Sequence, residues 1–449
     1  MKMFSKVLPM ILAAMLLLTA CGSGNPSATP SATSAVTPST TPGTNQGDSA
    51  GASAFPIEKD AKLVYWSMWS ETEPQAIVIA EAAKAFESKY GVSVEVNFNG
   101  RQLQRDGLQP ALDAGQEIDL FDEDIDRVSG TWAKYLLPLD NYVNGVYEET
   151  NGQPYVSMVN KVLINLSKTV GGGSYTTIPY QPNIYTTQYN KKLFEAAGIT
   201  AMPKTWDEFL DVCSKLKASG VIPFTVDNAY YYGLFGYILD RIVGSEKCAE
   251  MVANVDFSNP GVLKACQILE DMIKKGYISP KAATNVYPEG QSSEFAPEKV
   301  AMYLTGTWLP NEIKPLNPNI QWGSFAWPAI DPAGDGTEAN NYGGQSFGIN
   351  KNSKYPNTAF AFIRFMTLGE YDQKLATDSL GVPMSNDATW PAELADAKAL
   401  FDATTTRLPW AVGMEDPAVG ATIAEGFQKL VTGTFNAQQY ADSLAAMKK

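Results

Sequence analysis

The composition of the 449-residue chain limits both its fold and its chemistry. Apolar residues make up 45% and charged residues 18%, which indicates a soluble globular protein large enough for two or three folded units. The formal net charge of −14 argues against nucleic acid and anionic lipid headgroups as partners, because like charges repel. The chain has no histidine, which excludes His-based acid–base catalysis, Ser-His-Asp and Cys-His nucleophiles, and nearly every catalytic zinc site.

The first 20 residues have the pattern of a signal peptide. Lys2 and Lys6 give a basic start, and residues 7–18 form an apolar run that, at about 12 residues, is too short to cross a bilayer. The run ends in Leu18-Thr19-Ala20-Cys21-Gly22, which resembles the bacterial lipobox, where cleavage precedes a cysteine that is then diacylated. We therefore predict a signal peptide over residues 1–20 and lipidation of Cys21. The alternative is an ordinary secretory signal with an incidental cysteine.

Residues 21–58 are predicted to be the lipidated cysteine and a linker rich in Ser, Thr and Pro. Between Gly22 and Ala54 the only charged residue is Asp48, and such a segment cannot bury enough apolar surface to fold. Two acyl chains anchor a protein stably where one does not. The sequence thus predicts a protein that contacts the membrane through its lipid anchor alone.

The first folded elements alternate between strand and helix. Residues 62–66 read as a strand, Thr72 and Gln75 as a helix-capping box, and residues 92–98 as a second strand with alternating apolar side chains. Residues 118–121 follow as a third short strand. This β-α-β order predicts an α/β fold with mostly parallel strands flanked by helices.

The later helices place two cysteines in the protein core. A helix is predicted over residues 205–219, opened by a capping box of Thr205 and Glu208, and another over residues 260–275. Cys213 and Cys266 fall on the apolar faces of these helices, whereas Cys248 could pair with one of them. A strand over residues 347–350 and a helix over residues 357–368 come next, and further helices follow from about Pro417.

Four segments in order carry a resemblance to a known family. In chain order they are residues 178–208 (IPYQPNIYTTQYNKKLFEAAGITAMPKTWDE), residues 301–308, residues 342–350, and residues 359–366 with the following Gly381-Val382-Pro383. Together they resemble the extracellular solute-binding proteins of ABC importers, in the carbohydrate-binding family that includes maltose-binding protein. The similarity covers most of the chain after the linker.

The resemblance implies a two-lobed, type II-like periplasmic-binding-protein fold of class α/β. Each lobe is expected to be a mixed or mostly parallel sheet flanked by helices, with the ligand cleft between the lobes. The chain would cross near residues 181–185, 326–342 and 381–385. The N-terminal lobe would then comprise residues 59–182 and about 326–384, and the C-terminal lobe residues 183–325 and about 385–449.

The chemistry of sugars selects the candidate ligand residues. Sugar rings present an apolar face to aromatic rings and a rim of hydroxyls to carboxylates and amides. Trp308 is the best candidate, because the family places a stacking Trp after the matching strand; the alternative is a core Trp. Trp69 and Glu71 follow the first strand, at the edge where open α/β sheets bind ligands.

The acidic loop after the third strand has two readings. Asp122, Asp124 and Asp126 hint at a calcium loop, but position six of that loop is Arg127 and position twelve is Ala133, where calcium loops need Gly and Glu. The family places hydroxyl-binding acids in this loop, so Glu123 and Asp124 are candidates. Otherwise the loop is a solvated acidic segment.

Further candidates come from the implied crossings and loops. Asn183 and Tyr185 lie at the first crossing, and Gly344 and Gln345 lie where the backbone could approach a ligand, although hinge flexibility also explains the glycines. One tyrosine of residues 230–232 is expected to stack. The remaining candidates are Asp227, Asn228, Tyr231 and Trp410.

The predicted function is binding of a carbohydrate, with an oligosaccharide favoured over a monosaccharide. The protein is expected to be a lipid-anchored monomer at the outer face of the bacterial cytoplasmic membrane. The sugar would pass unchanged to the permease subunits of an ABC transporter, with no cofactor, no metal and no enzymatic activity. The alternatives are a secreted glycoside hydrolase with carboxylates from Glu71, Asp122, Glu123 or Asp124, a binding protein for a non-sugar solute, and a sugar-sensing partner of a signalling protein.

Overall fold

A computed structural model describes residues 55–448, which belong to one compact unit. The predicted signal peptide, Cys21 and nearly all of the linker lie outside these residues. Within the described part, no helix is both long enough and apolar enough to cross a membrane. These residues are the folded portion that follows the predicted linker.

The described residues form a mixed α/β architecture. The strands are β1 Lys62–Ser67, β2 Ser93–Phe98, β3 Leu120–Asp124, β4 Ile178–Asn190, β5 Ile222–Thr225, β6 Val300–Gly306, β7 Trp322–Phe325, β8 Ala339–Ile349 and β9 Thr406–Leu408. The α-helices are α1 Pro74–Tyr90, α2 Gly100–Asp113, α3 Ile125–Gly130, α4 Asp140–Val143, α5 Tyr155–Met158, α6 Lys161–Val170, α7 Lys191–Ala196, α8 Trp206–Ala218, α9 Tyr231–Val243, α10 Ser245–Asn254, α11 Pro260–Lys274, α12 Leu309–Ile313, α13 Pro356–Thr367, α14 Glu370–Asp378, α15 Ala395–Ala403, α16 Gly420–Val431 and α17 Ala437–Ala445.

The strands join in the order β2-β1-β3-β8-β4-β6-β5, with β7 beside β4 and β9 beside β8. The outer pairs β1–β2, β1–β3 and β5–β6 are parallel, as the β-α-β order predicted. The long central strands β4 and β8 pair antiparallel with each other and with β6 and β3 respectively. The sheet is therefore mixed, because antiparallel strands stitch together two parallel groups.

Two main apolar cores lie on this framework, and β4 and β8 run through both. The N-terminal core includes Leu63, Phe86, Ile178, Ile184, Phe347, Phe362 and Phe401. The C-terminal core includes Tyr185, Phe209, Leu234, Leu304, Ala339, Leu408 and Phe427. A smaller third cluster lies under α2 and α3. Membership changes from one core to the other between Ile184 and Tyr185, within a single strand.

Helix starts show where local pattern suffices. At α8, Thr205 and Glu208 form the predicted capping box: the Glu208 amide donates to Thr205 Oγ1 at 3.4 Å, and Glu208 Oε2 accepts from the Thr205 amide at 3.1 Å. At α1 the predicted box of Thr72 and Gln75 is wrong. That helix begins at Pro74, and Gln75 is buried in it, because proline at the first helical position is already preorganised for the turn.

The three described cysteines are free thiols inside the protein. Cys213 and Cys266 are fully buried on the core faces of α8 and α11, as their spacing predicted. Cys248 is also buried and unpaired, so the structure contains no disulfide among these three residues. Burial raises the pKa of each thiol, which keeps all three in the neutral, unreactive form.

Candidate functional site

Four aromatic side chains from separate segments form a continuous wall beside the end of β6. The aromatic wall consists of Tyr185 on β4, Tyr230 before α9, Trp308 after β6 and Trp410 after β9. Ring centroids are 4.9 Å apart for Tyr185 and Trp410, 6.0 Å for Trp308 and Trp410, and 6.4 Å for Trp308 and Tyr185. Tyr185 is fully buried and Tyr230 is 5% exposed, whereas Trp308 and Trp410 are only partly buried. The two indoles therefore supply the flat apolar surface that can stack against the face of a sugar ring, and the two tyrosines pack behind them.

The position of Trp308 follows from the glycine that ends β6. The indole ring folds back over Gly306, where a methyl group would lie only 2.0 Å from a ring carbon. Trp308 Nε1 donates a hydrogen bond to Tyr230 Oη at 3.1 Å, and the ring remains only partly buried. One edge of the indole is therefore held in place while part of its surface stays accessible.

Trp410 is hydrogen-bonded to the carboxylate of Glu415, a residue that was not among the predicted ligand residues. Its Nε1 donates to Glu415 Oε2 at 2.6 Å. The chain between them turns sharply, since Ala411 and Val412 have φ of 49° and 56°. The loop that contains Glu415 offers no aromatic residue, but it supplies an acceptor beside the aromatic wall. A positive φ at two consecutive non-glycine residues is uncommon and marks a strained turn.

Three charged side chains, Glu123, Arg105 and Arg127, lie together at the end of β3 and form what we call the charged wall. Glu123 is fully buried, and its carboxylate pairs with Arg105 at 2.7 Å and with Arg127 at 2.9 Å. The two arginine side chains keep 40% and 35% of their surface exposed, so their remaining donors face solvent. Glu123 thus fixes two guanidinium groups, and these donors are suited to hydroxyl oxygens.

Asp124 has the neighbouring position on β3. Burial and the negative charges of Asp126 and Glu123 raise the pKa of Asp124 to about 7, against the lowering effect of Arg407. Asp124 Oδ1 accepts from the Asp126 amide at 3.0 Å and so caps α3. Asp126 in turn pairs with Arg407 at 2.7 Å. Asp124 can therefore gain or lose a proton near neutral pH.

The aromatic and charged walls approach each other at Glu415. The side chain is exposed, yet the surrounding protein partly desolvates it and raises the pKa of its carboxyl group. The hydrogen bond from Trp410 and the positive charges of Arg127 and Arg105 act in the opposite direction, and the charge of Glu123 adds to the raising effect. The charges of Arg105, Arg127 and Glu123 therefore act on Glu415.

Trp69 is held by a buried hydrogen-bond chain. Its Nε1 donates to Tyr180 Oη at 2.8 Å, and Tyr180 donates to Asp122. Asp122 also accepts from Tyr65 Oη at 2.8 Å and from the Met68 amide at 2.7 Å. Burial raises the pKa of Asp122 to about 6. Trp69 is only 5% exposed, so this network orients an indole with little free surface.

Arg101 covers Trp69 from the side of α2. Its guanidinium carbon lies 4.9 Å from the centre of the indole ring, and it pairs with Glu73 at 2.9 Å. A guanidinium over an indole face is a favourable cation–π arrangement. The face of Trp69 that was predicted to meet a ligand therefore carries an arginine, and its contact with a ligand stays a prediction.

The candidates on β3, β4 and β8 lie side by side in the sheet. Asn183 pairs with Gly343, and Asp124 pairs with Gln345 across the next strand boundary. Gly344 has φ of 145°, and a methyl group there would lie 2.5 Å from Pro182 Cα, so only glycine fits this close approach. Asn183 and Gln345 are half-buried. Asn183 lies two residues before Tyr185 on β4, so this strand brings Asn183 close to the aromatic wall.

The loop before α9 places its residues differently from the prediction. Tyr230 belongs to the aromatic wall, whereas Tyr231 is 1% exposed and packs on Phe427 with its hydroxyl donating to the Ala282 carbonyl. Asp227 is fully buried, accepting from the Gly290 amide and from Tyr303 Oη, each at 2.6 Å. Tyr230 is itself only 5% exposed, and Tyr232 is the one tyrosine of residues 230–232 that is partly exposed.

Two further predicted residues lie at the surface. Asn228 is exposed and accepts from the Tyr287 amide at 2.9 Å, which holds the 286–290 loop in place. Glu71 is exposed in the turn before α1. No group of three or more Cys, Asp or Glu side chains within residues 55–448 is arranged to hold a metal ion.

The fold is the two-lobed α/β fold of solute-binding proteins. The chain belongs to the family of bacterial extracellular solute-binding proteins, whose family model matches residues 69–373. This result confirms the resemblance and its two-lobed α/β fold. The match includes Tyr185, Tyr230 and Trp308, and ends before Trp410.

Several relatives and solved structures are similar over most of the chain. A protein of Brucella abortus, named only as a binding protein, is 27% identical over 80% of this chain and 83% of its own length. The multiple sugar-binding protein of Streptococcus mutans is 27% identical over 49% of this chain and 55% of its own.

Solved structures agree on the fold. RafE from Streptococcus pneumoniae superposes with a TM-score of 0.69 at 19% identity, covering 88% of this chain and all of that one. A chitin oligosaccharide binding protein gives a TM-score of 0.68 at 22% identity, covering 87% of this chain and 98% of that one. At these identities the likeness concerns the fold alone.

Proposed function

We propose that this protein captures a neutral mono- or oligosaccharide and hands it unchanged to the permease of an ABC transporter. The observation that carries the proposal is the aromatic wall of Tyr185, Tyr230, Trp308 and Trp410 beside the arginines held by Glu123. Aromatic rings match the apolar faces of sugars, and charged groups with free donors and acceptors match the hydroxyl rim.

The relatives support a sugar as the solute. One is named as a multiple sugar-binding protein, and another, from Bacillus subtilis, as a melibiose/raffinose/stachyose-binding protein that is 24% identical over 62% of this chain. Trp308 and Trp410 both keep accessible ring surface, and two such rings can stack on more than one sugar ring, which favours an oligosaccharide.

The environment of the acids supports binding without chemistry. A glycosidase needs one carboxylic acid and one carboxylate placed on either side of the scissile bond. Glu123 has both oxygens paired with arginines, and Asp122 is buried under four hydrogen-bond donors. Neither is free to exchange a proton with a substrate. Of the other two candidates, Asp124 caps α3 and Glu71 is exposed in the turn before α1, so we favour a binding protein over a secreted hydrolase.

We propose that capture proceeds by closure of the two lobes about β4 and β8, which run through both cores. Phe401 belongs to the N-terminal core and Leu408 to the C-terminal core, which supports a crossing between these two residues. This crossing lies about 20 residues after the one near residues 381–385 that the resemblance implies. The closed form is the state that the permease would recognise.

The cellular setting of the proposal follows from the N-terminal sequence. Lipidation at Cys21 would hold a monomer at the outer face of the cytoplasmic membrane, where two acyl chains suffice for stable anchoring. Mass spectrometry of the membrane-extracted protein tests this part, because a diacylglyceryl group on Cys21 has a defined mass. An unmodified residue at that position would refute the anchor and leave sugar binding intact.

Thermal unfolding with a panel of sugars tests the proposed function. A ligand that binds only the folded state stabilises it by about 2.7 kcal/mol at 100 times its Kd. We expect raffinose, stachyose or diacetylchitobiose to raise the melting temperature of the wild type, with no sugar product by chromatography. Trp308→Ala should abolish the shift. Trp390→Ala is the matched control, since Trp390 is a half-buried Trp outside the aromatic wall. The absence of a shift with every sugar, or release of product, would refute the proposal.

A further inference from the structure

A second carboxylate lies next to Trp308 and belongs to none of the predicted ligand residues. Glu312 is in α12, one turn beyond Trp308, and its amide donates to the Trp308 carbonyl at 3.3 Å. Residues four apart lie on the same side of a helical turn. The short helix thus places the indole and the carboxylate together.

Tyr287 holds the carboxylate in this position. Tyr287 Oη donates to Glu312 Oε1, and its ring meets that of Tyr230 edge-on with centroids 5.8 Å apart. Tyr230 in turn accepts from Trp308 Nε1. Trp308, Tyr230, Tyr287 and Glu312 therefore form one connected group of side chains, in which Glu312 adds a carboxylate next to the aromatic wall.

One oxygen of Glu312 lacks a donor. Oε2 is buried, and no donor within residues 55–448 reaches it in hydrogen-bonding geometry. Gln291 lies close enough to lower the pKa of Glu312, yet its Nε2 also has no acceptor in that geometry. A buried acceptor that remains unpaired is unfavourable and is usually satisfied by a partner.

The opposite side of the group carries a positive charge. Burial raises the pKa of Glu312, whereas Tyr287, Gln291 and the guanidinium of Arg101 lower it, and Glu73 raises it slightly. Arg101 comes from α2 and lies over Trp69. Arg101 is therefore near enough for its positive charge to act on Glu312, and it covers Trp69 at the same time.

We propose that Glu312 Oε2 accepts a hydrogen bond from a hydroxyl of the sugar that stacks on Trp308. Glu312 is then a specificity-determining residue, because it selects sugars with a donor at that edge of the ring, and Tyr287 is its positioning residue. This inference rests on the proposed function and names a contact within the same site. A site built to bond a hydroxyl rejects analogues that lack it.

Calorimetric titration of the wild type and of Glu312→Gln tests the inference. The probes are raffinose, stachyose and diacetylchitobiose, and monodeoxy analogues of whichever gives the largest wild-type shift. Glu312→Gln should weaken that sugar at least tenfold and have little effect on the analogue that lacks the donated hydroxyl. Tyr287→Phe should weaken it less, and not at all in the Glu312→Gln background. Glu425→Gln is the control, since Glu425 is an exposed acid on α16.

The outcomes separate this inference from the proposed function. If the wild type binds a sugar, Trp308→Ala abolishes binding, and Glu312→Gln binds within twofold of the wild type, only the inference is refuted, and Gln291 then satisfies Oε2 after a small rearrangement. If the wild type binds none of the three sugars, the proposed function fails and the inference fails with it. A tenfold loss that is equal for the sugar and for every deoxy analogue also overturns the inference, because a structural role would have that effect.

Discussion

Alanine at Gly306 should displace the indole of Trp308, which supplies the three atoms nearest to the added methyl group. A methyl group at Gly306 would lie 2.0, 2.3 and 2.4 Å from three ring carbons of Trp308. Non-bonded carbons pack at about 3.5–4.0 Å, so the ring has to move by more than about 1 Å. Gly306 is not among the glycines with positive φ, and the backbone itself therefore tolerates alanine.

The expected magnitude combines two effects. Overpacking a close-fitting site costs about 1–3 kcal/mol, and the shifted indole also loses its hydrogen bond to Tyr230, which contributes about 0.5–1.5 kcal/mol. We expect the free energy of unfolding to fall by about 1.5–4.5 kcal/mol. The stacking surface moves with the ring, so affinity for any sugar that the wild type binds should fall about tenfold, equal to about 1.4 kcal/mol.

Urea denaturation followed by fluorescence gives the stability change, and calorimetric titration gives the affinity. Gly130→Ala is the matched control, because a methyl group there would meet nothing within 4 Å. The stability loss should vanish when Gly306→Ala is made in the Trp308→Ala background, since the clash is with the removed ring. An equal loss in both backgrounds, or a neutral Gly306→Ala, would show that the indole does not lie over Gly306.

Two further predictions concern the fold. Asp372 accepts from the Met384 and Ser385 amides at 2.8 and 2.7 Å, and burial raises its pKa to about 7. The folded state therefore holds this proton more tightly than the unfolded state, so the free energy of unfolding should fall as pH rises from about 4 to about 7. Asp372→Asn should reduce this dependence on pH by up to one proton, about 1.4 kcal/mol per pH unit, in urea titrations at several pH values. Glu58 caps α13 from outside the helix, accepting from the Asn357 and Thr358 amides at 2.9 and 2.7 Å, and Glu58→Ala should cost about 1 kcal/mol in the same assay.

Each of these has its own check. Unchanged pH slopes in Asp372→Asn would mean that the carboxyl group is not the source of the pH dependence. Glu58→Gln keeps one acceptor oxygen and should lose less stability than Glu58→Ala. Equal losses for the two variants would point to packing, and not to the cap, as the contribution of this side chain.

Local pattern was sufficient for much of the fold. Strand alternation and helical spacing predicted β1, β2, α8 and α11 to within a few residues, and Thr205 with Glu208 predicted how α8 begins. These features depend on neighbours in sequence, through backbone dihedrals and hydrogen bonds a few residues apart. Gly306 followed by Trp308 was also readable, because the ring and the glycine are two positions apart.

The contacts within the site were decided by the tertiary structure. Arg127 is only four residues from Glu123, but Arg105 pairs with Glu123 from another helix, 18 residues away, and Glu312 meets Tyr287 from a separate loop. No spacing rule could have joined these last two pairs. Which of the three tyrosines at residues 230–232 belongs to the aromatic wall and which stays partly exposed depends on rotations of about 100° per residue at the start of α9. The sequence by itself determined which residue types are present and the elements that carry them. Only packing decided their directions, because a side chain's direction is settled by the distant segments against which its element is buried.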